Sequence, residues 1–175
     1  MCLWIGSGKP MGASAGASPR VVVRPAQPQD QAAIAAFNQA MALETENRPL
    51  DLATVQAGVA QLMARPELGF YVVAEVAGEP VACLLVTREW SDWRNGLFWW
   101  IQSVYVHPHH RRQGLFRRLY GQVETLARQQ GDVCGLRLYV EKDNAPAQAT
   151  YQALGMAPTP YQVYESTFPD FPAMA

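Results

Sequence analysis

The sequence predicts an α/β fold, a mixed sheet covered by helices, and three observations predict it. The apolar pattern changes period along the chain: helical spacing early, alternation through residues 70–106, helical spacing again after residue 114. Strand-like and helix-like segments interleave rather than segregate, which places them in one layered domain. A length of 175 residues, 49% of them apolar, is enough for one domain with a full core and short for two.

Residues 1–18 end in GKPMGASAGAS, rich in Gly, Ala and Ser, and are expected to be a disordered tail ahead of a single domain over 19–175. RVVVR (20–24) reads as a first short strand. Pro28 suits the first turn of a helix, and Ile34, Phe37, Ala40 and Met41 then fall on one face. A second helix is expected over 51–64, with Asp51 as N-cap and Leu52, Val55, Val59, Leu62 and Met63 at helical spacing; Pro66 stops it. FYVVAEV (70–76), a turn at Ala77-Gly78-Glu79 and PVACLLVTREW (80–90) form a hairpin. After the polar SDWRNG comes LFWWIQSVYV (97–106), apolar on both sides as a central, covered strand should be. Leu115, Leu119, Val123 and Leu126 mark a long helix that Gly131 ends. GLRLYV (135–140) reads as a strand, APAQATYQALG (145–155) as a short helix, and YQVYEST (161–167) as a last strand.

Composition narrows the function. Fifteen acids nearly balance fourteen Lys plus Arg, which argues against a general nucleic-acid binder. No apolar run approaches the roughly 20 residues that span a bilayer, and MCLWIGSGKP lacks the basic start and sustained apolar centre of a signal peptide, so no membrane partner and a cytoplasmic location are expected. Three widely spaced cysteines give no disulfide or zinc framework. Cys83 and Cys134 lie in apolar runs and read as small buried hydrophobes.

The informative segment is HHRRQGLFRR, residues 109–118, six of whose ten residues are His or Arg. It lies between a buried strand and a long helix, where unpaired N–H groups and the helix dipole gather on an anion. Gly114 lets the backbone approach such an anion closely, and Arg111, Arg112 and Arg117 add positive charge. The G-x-x-x-x-G-K-S/T and G-x-G-x-x-G phosphate motifs are both absent. His107, His109 and His110 stand on a loop beside two arginines, a poor ligand set, so no metal is expected.

The run from Val104 through Leu119, V-Y-V-x-P-x-x-R-R-Q-G-L-F-x-x-L, resembles the acetyl-CoA signature R/Q-x-x-G-x-G/A of the GNAT superfamily of N-acetyltransferases, with Arg111, Gly114 and Phe116 on its three defining positions. LYVEKDNAPAQATYQALGM (138–156) is similar to a later segment of that superfamily, where Asn144, Ala147, Tyr151, Leu154 and Gly155 occupy the matching places. The resemblance spans about residues 20–165. It implies the GNAT (acyl-CoA N-acyltransferase) fold: a central, mixed, mostly antiparallel sheet flanked by helices and splayed between the fourth and fifth strands. It also implies acetyl-CoA as co-substrate. The backbone around Val104 and Val106 would hold the pantetheine arm and Asn144 its far side. The loop Arg111, Arg112, Gln113, Gly114, Leu115, Phe116 and Arg117 would cradle the pyrophosphate, and Tyr151 would be the acid for the departing thiolate. At the third signature position Phe116 replaces Gly or Ala, so its ring must point away from the pyrophosphate.

Polyamine-type members carry a Glu two residues before the position of Val104; here it is Gln102, which cannot take a proton at neutral pH. A proton would then leave through water to Glu89, Asp92 or a histidine, and no residue is assigned as base. The acceptor site is expected to include 88–100, with Trp90 and Trp93 offering faces to a cationic amine and Asp92 a charge to pair with it. The equally weighted alternative packs those indoles into the core or a dimer interface. The resemblance thus implies an acetyltransferase acting on a small-molecule amine, in a homodimer by analogy. The alternatives are an enzyme acting on a protein N-terminus or lysine, and a non-catalytic acyl-CoA-binding sensor.

Overall fold

In the computed structural model of the protein, residues 20–168 are described, so the tail expected over 1–18 lies outside the described residues. The chain opens with β1 (Val21–Pro25), followed by a short 3-10 turn at Pro28–Asp30 that leads into α1 (Gln31–Glu46). Asp51 caps α2 (Leu52–Ala64), its Oδ2 accepting from the Thr54 N–H at 2.7 Å. A meander of β2 (Gly69–Val76), β3 (Glu79–Ser91) and β4 (Gly96–Val106) follows. Then come α3 (Leu115–Gln130), β5 (Val133–Arg137) and α4 (Ala145–Ala153).

The sheet order is β1-β2-β3-β4-β5, antiparallel except for the parallel β4–β5 pair. That last ladder covers only Leu97–Trp100 of β4, against Val133–Arg137 of β5. Beyond Trp100 the two strands part, so the sheet forks between its fourth and fifth strands, as the resemblance implies.

Apolar side chains cover both faces. α3 and α4 pack Leu115, Phe116, Leu119, Val123, Ala147 and Tyr151 onto one face. α1 and α2 pack Ile34, Phe37, Met41 and Val59 onto the other, against Tyr71, Val73, Cys83 and Tyr105. A bulge in β4 sets which residues meet which layer. Cys83 faces Tyr105 and Leu85 faces Gln102, so two residues of β4 oppose Leu84 alone, and Ser103 takes a φ of 46°. Trp99 and Ile101 reach the α3 side before the bulge, Val104 and Val106 after it.

Three expectations need correction. The strand read at 135–140 lies instead at Val133–Arg137, because β4 diverges at the fork and leaves 138–140 without a ladder, although Leu138 and Val140 still pack on the core. Residues 161–167 form no strand: the segment runs exposed, and none of the strands among the described residues pairs with it. Cys83 is buried as expected and burial pushes its thiol up to about 12, but Cys134 is exposed, on β5 at the edge of the sheet. Among the described residues, no helix is long and apolar enough to cross a membrane.

Candidate acetyl-transfer site

The loop after β4 is built for close approach. Pro108–His110 makes a 3-10 turn, Arg112 sits at φ 63° and Gly114 at φ 73°, a left-handed cap from which α3 starts. A Cβ on Gly114 would meet nothing within 4 Å, so that side of the loop is open space. The first N–H to close an α3 turn is that of Arg118, on the Gly114 carbonyl at 3.2 Å; the N–H groups of Leu115, Phe116 and Arg117 precede it at the helix's positive end. Open space, a left-handed glycine and converging amides are the donor set a pyrophosphate requires.

The arginines divide. Arg111 turns inward: its Nε donates to the Val106 carbonyl at 2.8 Å, its Nη2 to Glu44 Oε2 at 2.6 Å, and its guanidinium lies 5.7 Å from the Tyr105 ring. Tyr105 donates its hydroxyl to the other Glu44 oxygen at 3.3 Å. The first signature position thus ties the loop to α1. Arg112, Gln113 and Arg117 stay on the exposed side, where Gln113 donates to the His109 carbonyl. His107 lies beneath the loop with its Nδ1 buried and unpartnered. Burial first, then His109, His110 and Arg111, hold its imidazole below the ordinary value.

Glu44→Gln is expected to raise the Kd for acetyl-CoA roughly tenfold by loosening this clamp, since a hydrogen bond to a charged group is worth about 1.5–3 kcal/mol. Calorimetric titration would show it, with Tyr105→Phe as a milder control.

Phe116 turns its ring into the core, 5.7 Å from Tyr151 in an edge-on contact and 6.2 Å from Tyr120. The side chain at the third signature position therefore lies beneath the loop, clear of its open side. Asn144 caps α4, its Oδ1 accepting from the Ala147 N–H at 3.1 Å, and Tyr151 follows two turns later, buried. Val104, Val106, Phe116 and Tyr151 therefore gather on the α3 face of the fork.

Gln102 lies on the opposite face. It pairs with Leu85 in the register and donates to Thr87 Oγ1 at 2.5 Å. Trp100, Glu89 and Arg137 share that face: Glu89 accepts from the Trp100 indole N–H and from Arg137 Nη1, the latter at 2.7 Å. Arg137 also lies 3.6 Å over the Phe98 ring, and Phe98 in turn occupies the space beside Gly135, where a Cβ would come within 2.8 Å of it. Tyr139 leans on Trp100 with ring centres 6.1 Å apart. The Arg137 cluster escaped the sequence reading; a glycine facing an aromatic across the strand pair was its one signal.

The remaining acceptor candidates are not brought to the fork. Trp90 pairs with Leu97 on the α3 side, the face opposite Gln102. Asp92 and Trp93 sit in the β3–β4 turn, Trp93 87% exposed. At about 3.3 Å per residue, six residues of strand separate the end of that turn from Gln102 by about 20 Å.

Comparison with known proteins gives the family and the fold. Residues 30–156 match the acetyltransferase (GNAT) family. A crystal structure described as a possible acetyltransferase from Clostridium difficile 630 is 41% identical, covers 85% of this chain and 97% of its own, and superposes with a TM-score of 0.79. A predicted acetyltransferase from Clostridium acetobutylicum, solved with acetyl-CoA, is 14% identical over 84% of this chain and 96% of its own, with a TM-score of 0.70, a likeness of fold. No curated protein matches the sequence.

Proposed function

The chain belongs to the GNAT acetyltransferase family, and from that premise we propose that it transfers the acetyl group of acetyl-CoA to a primary amine of a small molecule by direct attack. The observation that carries this reading is the placement of an open, amide-rich loop and a buried tyrosine on one face of the fork, with a polar, aromatic surface on the other. Bound acetyl-CoA supplies an acyl carbon activated as a thioester.

The chain's own residues divide the work. N–H groups of Leu115, Phe116 and Arg117 bind the pyrophosphate, with Arg112 and Arg117 adding charge. β4 beyond Trp100 has no β5 ladder, so its edge within the fork offers backbone groups to an extended pantetheine arm. As the amine nitrogen bonds to the acyl carbon and the C–S bond breaks, the Tyr151 hydroxyl hands its proton to the leaving sulfur. Asn144 positions Tyr151 by fixing the start of α4. Gln102, held by Thr87, orients the amine, whose surplus proton passes through water to Glu89 on the same face.

Arg137 shapes the choice of acceptor. The aromatic faces on that side, Phe98 and Trp100, already carry this guanidinium at 3.6 and 5.8 Å, and a polycation would meet it as a like charge. An amine that bears a carboxylate suits the Glu89–Arg137 pair better.

The test is calorimetric titration with acetyl-CoA, then thiol release with polyamines, diamino acids, amino acids, aminoglycosides and short peptides. Micromolar binding with release on a small carboxylate-bearing amine is expected. Release only with peptides would move the acceptor to a protein, binding without release on any amine would make the chain a sensor, and absence of binding would overturn the loop assignment.

A further inference from the structure

Glu89 and Arg137 form an ion pair in which each member is also held by something other than its partner. The Arg137 guanidinium lies 3.6 Å over the Phe98 ring and 5.8 Å from that of Trp100. Phe98 is seated against Gly135, where a Cβ would come within 2.8 Å of the ring, so this pedestal depends on a residue without a side chain. Glu89 in turn accepts from the Trp100 indole N–H. Stacking keeps the cation in place, and the indole keeps the carboxylate, when the bond between them opens.

That bond is the replaceable part. Among the described residues, Glu89 Oε1 engages Arg137 through Nη1 alone, at 2.7 Å, out of a fork of five N–H donors. The two side chains are 41% and 30% exposed, so a solute reaches both and the pair contributes little to stability. A second carboxylate that meets the fork through two parallel bonds offers the guanidinium more than this single contact.

The pair also stands beside the acetyl-transfer position. Arg137 is opposite Trp100 in the β4–β5 register, two residues short of Gln102. Glu89 is two residues beyond Thr87, which accepts from the Gln102 amide. Two residues of strand are about 7 Å, the span of one small acceptor with its amine at Gln102 and a carboxylate on Arg137.

We propose that the acceptor is an amino acid, whose carboxylate takes the place of Glu89 on Arg137 while its ammonium faces the displaced Glu89. One internal ion pair and one zwitterion thereby become two pairs, with no charge left alone. Glu89 receives the first proton of the ammonium through water. The nitrogen then bonds to the acyl carbon and the C–S bond breaks. Its second proton returns through water to the Tyr151 oxygen, which has given its own to the leaving sulfur. Arg137 is the specificity-determining residue, and an amine without a carboxylate meets a site whose two charges already satisfy each other. The inference rests on the acetyl-transfer reading and names its acceptor class.

The test is thiol release with matched pairs that differ by the carboxylate alone: alanine with ethylamine, phenylalanine with phenethylamine, lysine with cadaverine. The readout is kcat/KM of the amino acid over that of its amine, a ratio in which a general loss of activity cancels. Wild type is expected to favour the amino acid of at least one pair by about tenfold or more, as a charge-assisted hydrogen bond would. Arg137→Gln should bring that ratio to one or below, and Arg137→Lys, which keeps the charge but not the fork, to an intermediate value. Glu89→Gln should lower both rates and yet raise the ratio severalfold, because the guanidinium then has no internal carboxylate to leave. Wild-type ratios near one in every pair would overturn the acceptor class. A preference that Arg137→Gln leaves intact would overturn the role of Arg137, and a ratio that Glu89→Gln leaves unchanged or lowers would overturn the exchange. All three results would leave acetyl transfer standing. Release on no member of any pair, with acetyl-CoA bound, would overturn this inference, and the wider amine and peptide panel then decides the transfer reading separately.

Discussion

Tyr151→Phe is expected to lower kcat about a hundredfold, the lower end of what a positioned general acid contributes, while the Kd for acetyl-CoA stays within twofold. The substitution removes one oxygen and keeps the ring, so the edge-on contact with Phe116 and the packing of α4 on the core survive. Steady-state kinetics beside calorimetry make the distinction. Loss in kcat with affinity preserved places the phenol at the departing sulfur, whereas a kcat within threefold of wild type would leave Tyr151 a packing residue. A matched loss in thermal stability would point the same way, since it would show that the hydroxyl serves the fold.

Asp30→Ala is expected to be the most destabilising of the changes considered, by about 3 kcal/mol, the lower end for breaking a buried ion pair, because it removes the buried carboxylate that accepts from Arg24 and from the Gln27 N–H. In a chain of this size that lowers Tm by roughly 10 °C. Asp30 is 2% exposed and stands at the junction of β1 and α1. It accepts from Arg24 at 2.7 and 3.1 Å and from the Gln27 N–H at 2.7 Å, while Arg24 also reaches Glu75 on β2. Burial alone would push the Asp30 carboxyl up, but the donors from Arg24 and Gln27 outweigh it and hold it below the ordinary carboxylate value. A carboxyl depressed in the folded state contributes fully above its unfolded pKa of about 3.9, and that contribution is lost as pH falls through the folded value. Melting temperature between pH 7 and pH 3 should therefore fall more steeply for wild type than for the variant, and parallel curves would remove Asp30 from the acid response.

The fold was legible wherever one local signal decided it. Asp51 before a helical run marked the start of α2, Gly131 the end of α3, and alternation marked the three-strand meander. Where a boundary depends on a distant partner the sequence is silent. β5 ends at Arg137 because β4 turns away, and nothing within GLRLYV records that. The bulge was equally hidden, because Ser103 takes a left-handed φ in an apolar run without the Gly or Asn that would advertise it. In the site, the phosphate loop could be read because its residues are contiguous. The Arg111–Glu44 clamp joins residues 67 apart, and the Glu89–Arg137 pair joins residues 48 apart. Tryptophans drew attention to the β3–β4 turn, yet abundance of aromatic side chains says nothing about which end of a hairpin lies near the fork.

The extra residue at Ser103 makes β4 a strand read in two frames. Odd positions address the α3 layer up to Ile101, even positions from Val104 onward, and Tyr105 consequently reaches α1. Regular alternation over the same residues, with no bulge, would carry Tyr105 through the sheet. Glu44 would lose its phenol partner, and two valines would face the helices on the wrong side. The bulge therefore carries the count of this strand, and deleting Ser103 should leave every other side chain of β4 on its present face and opposite its present β3 partner, a deletion better tolerated than one elsewhere in the strand.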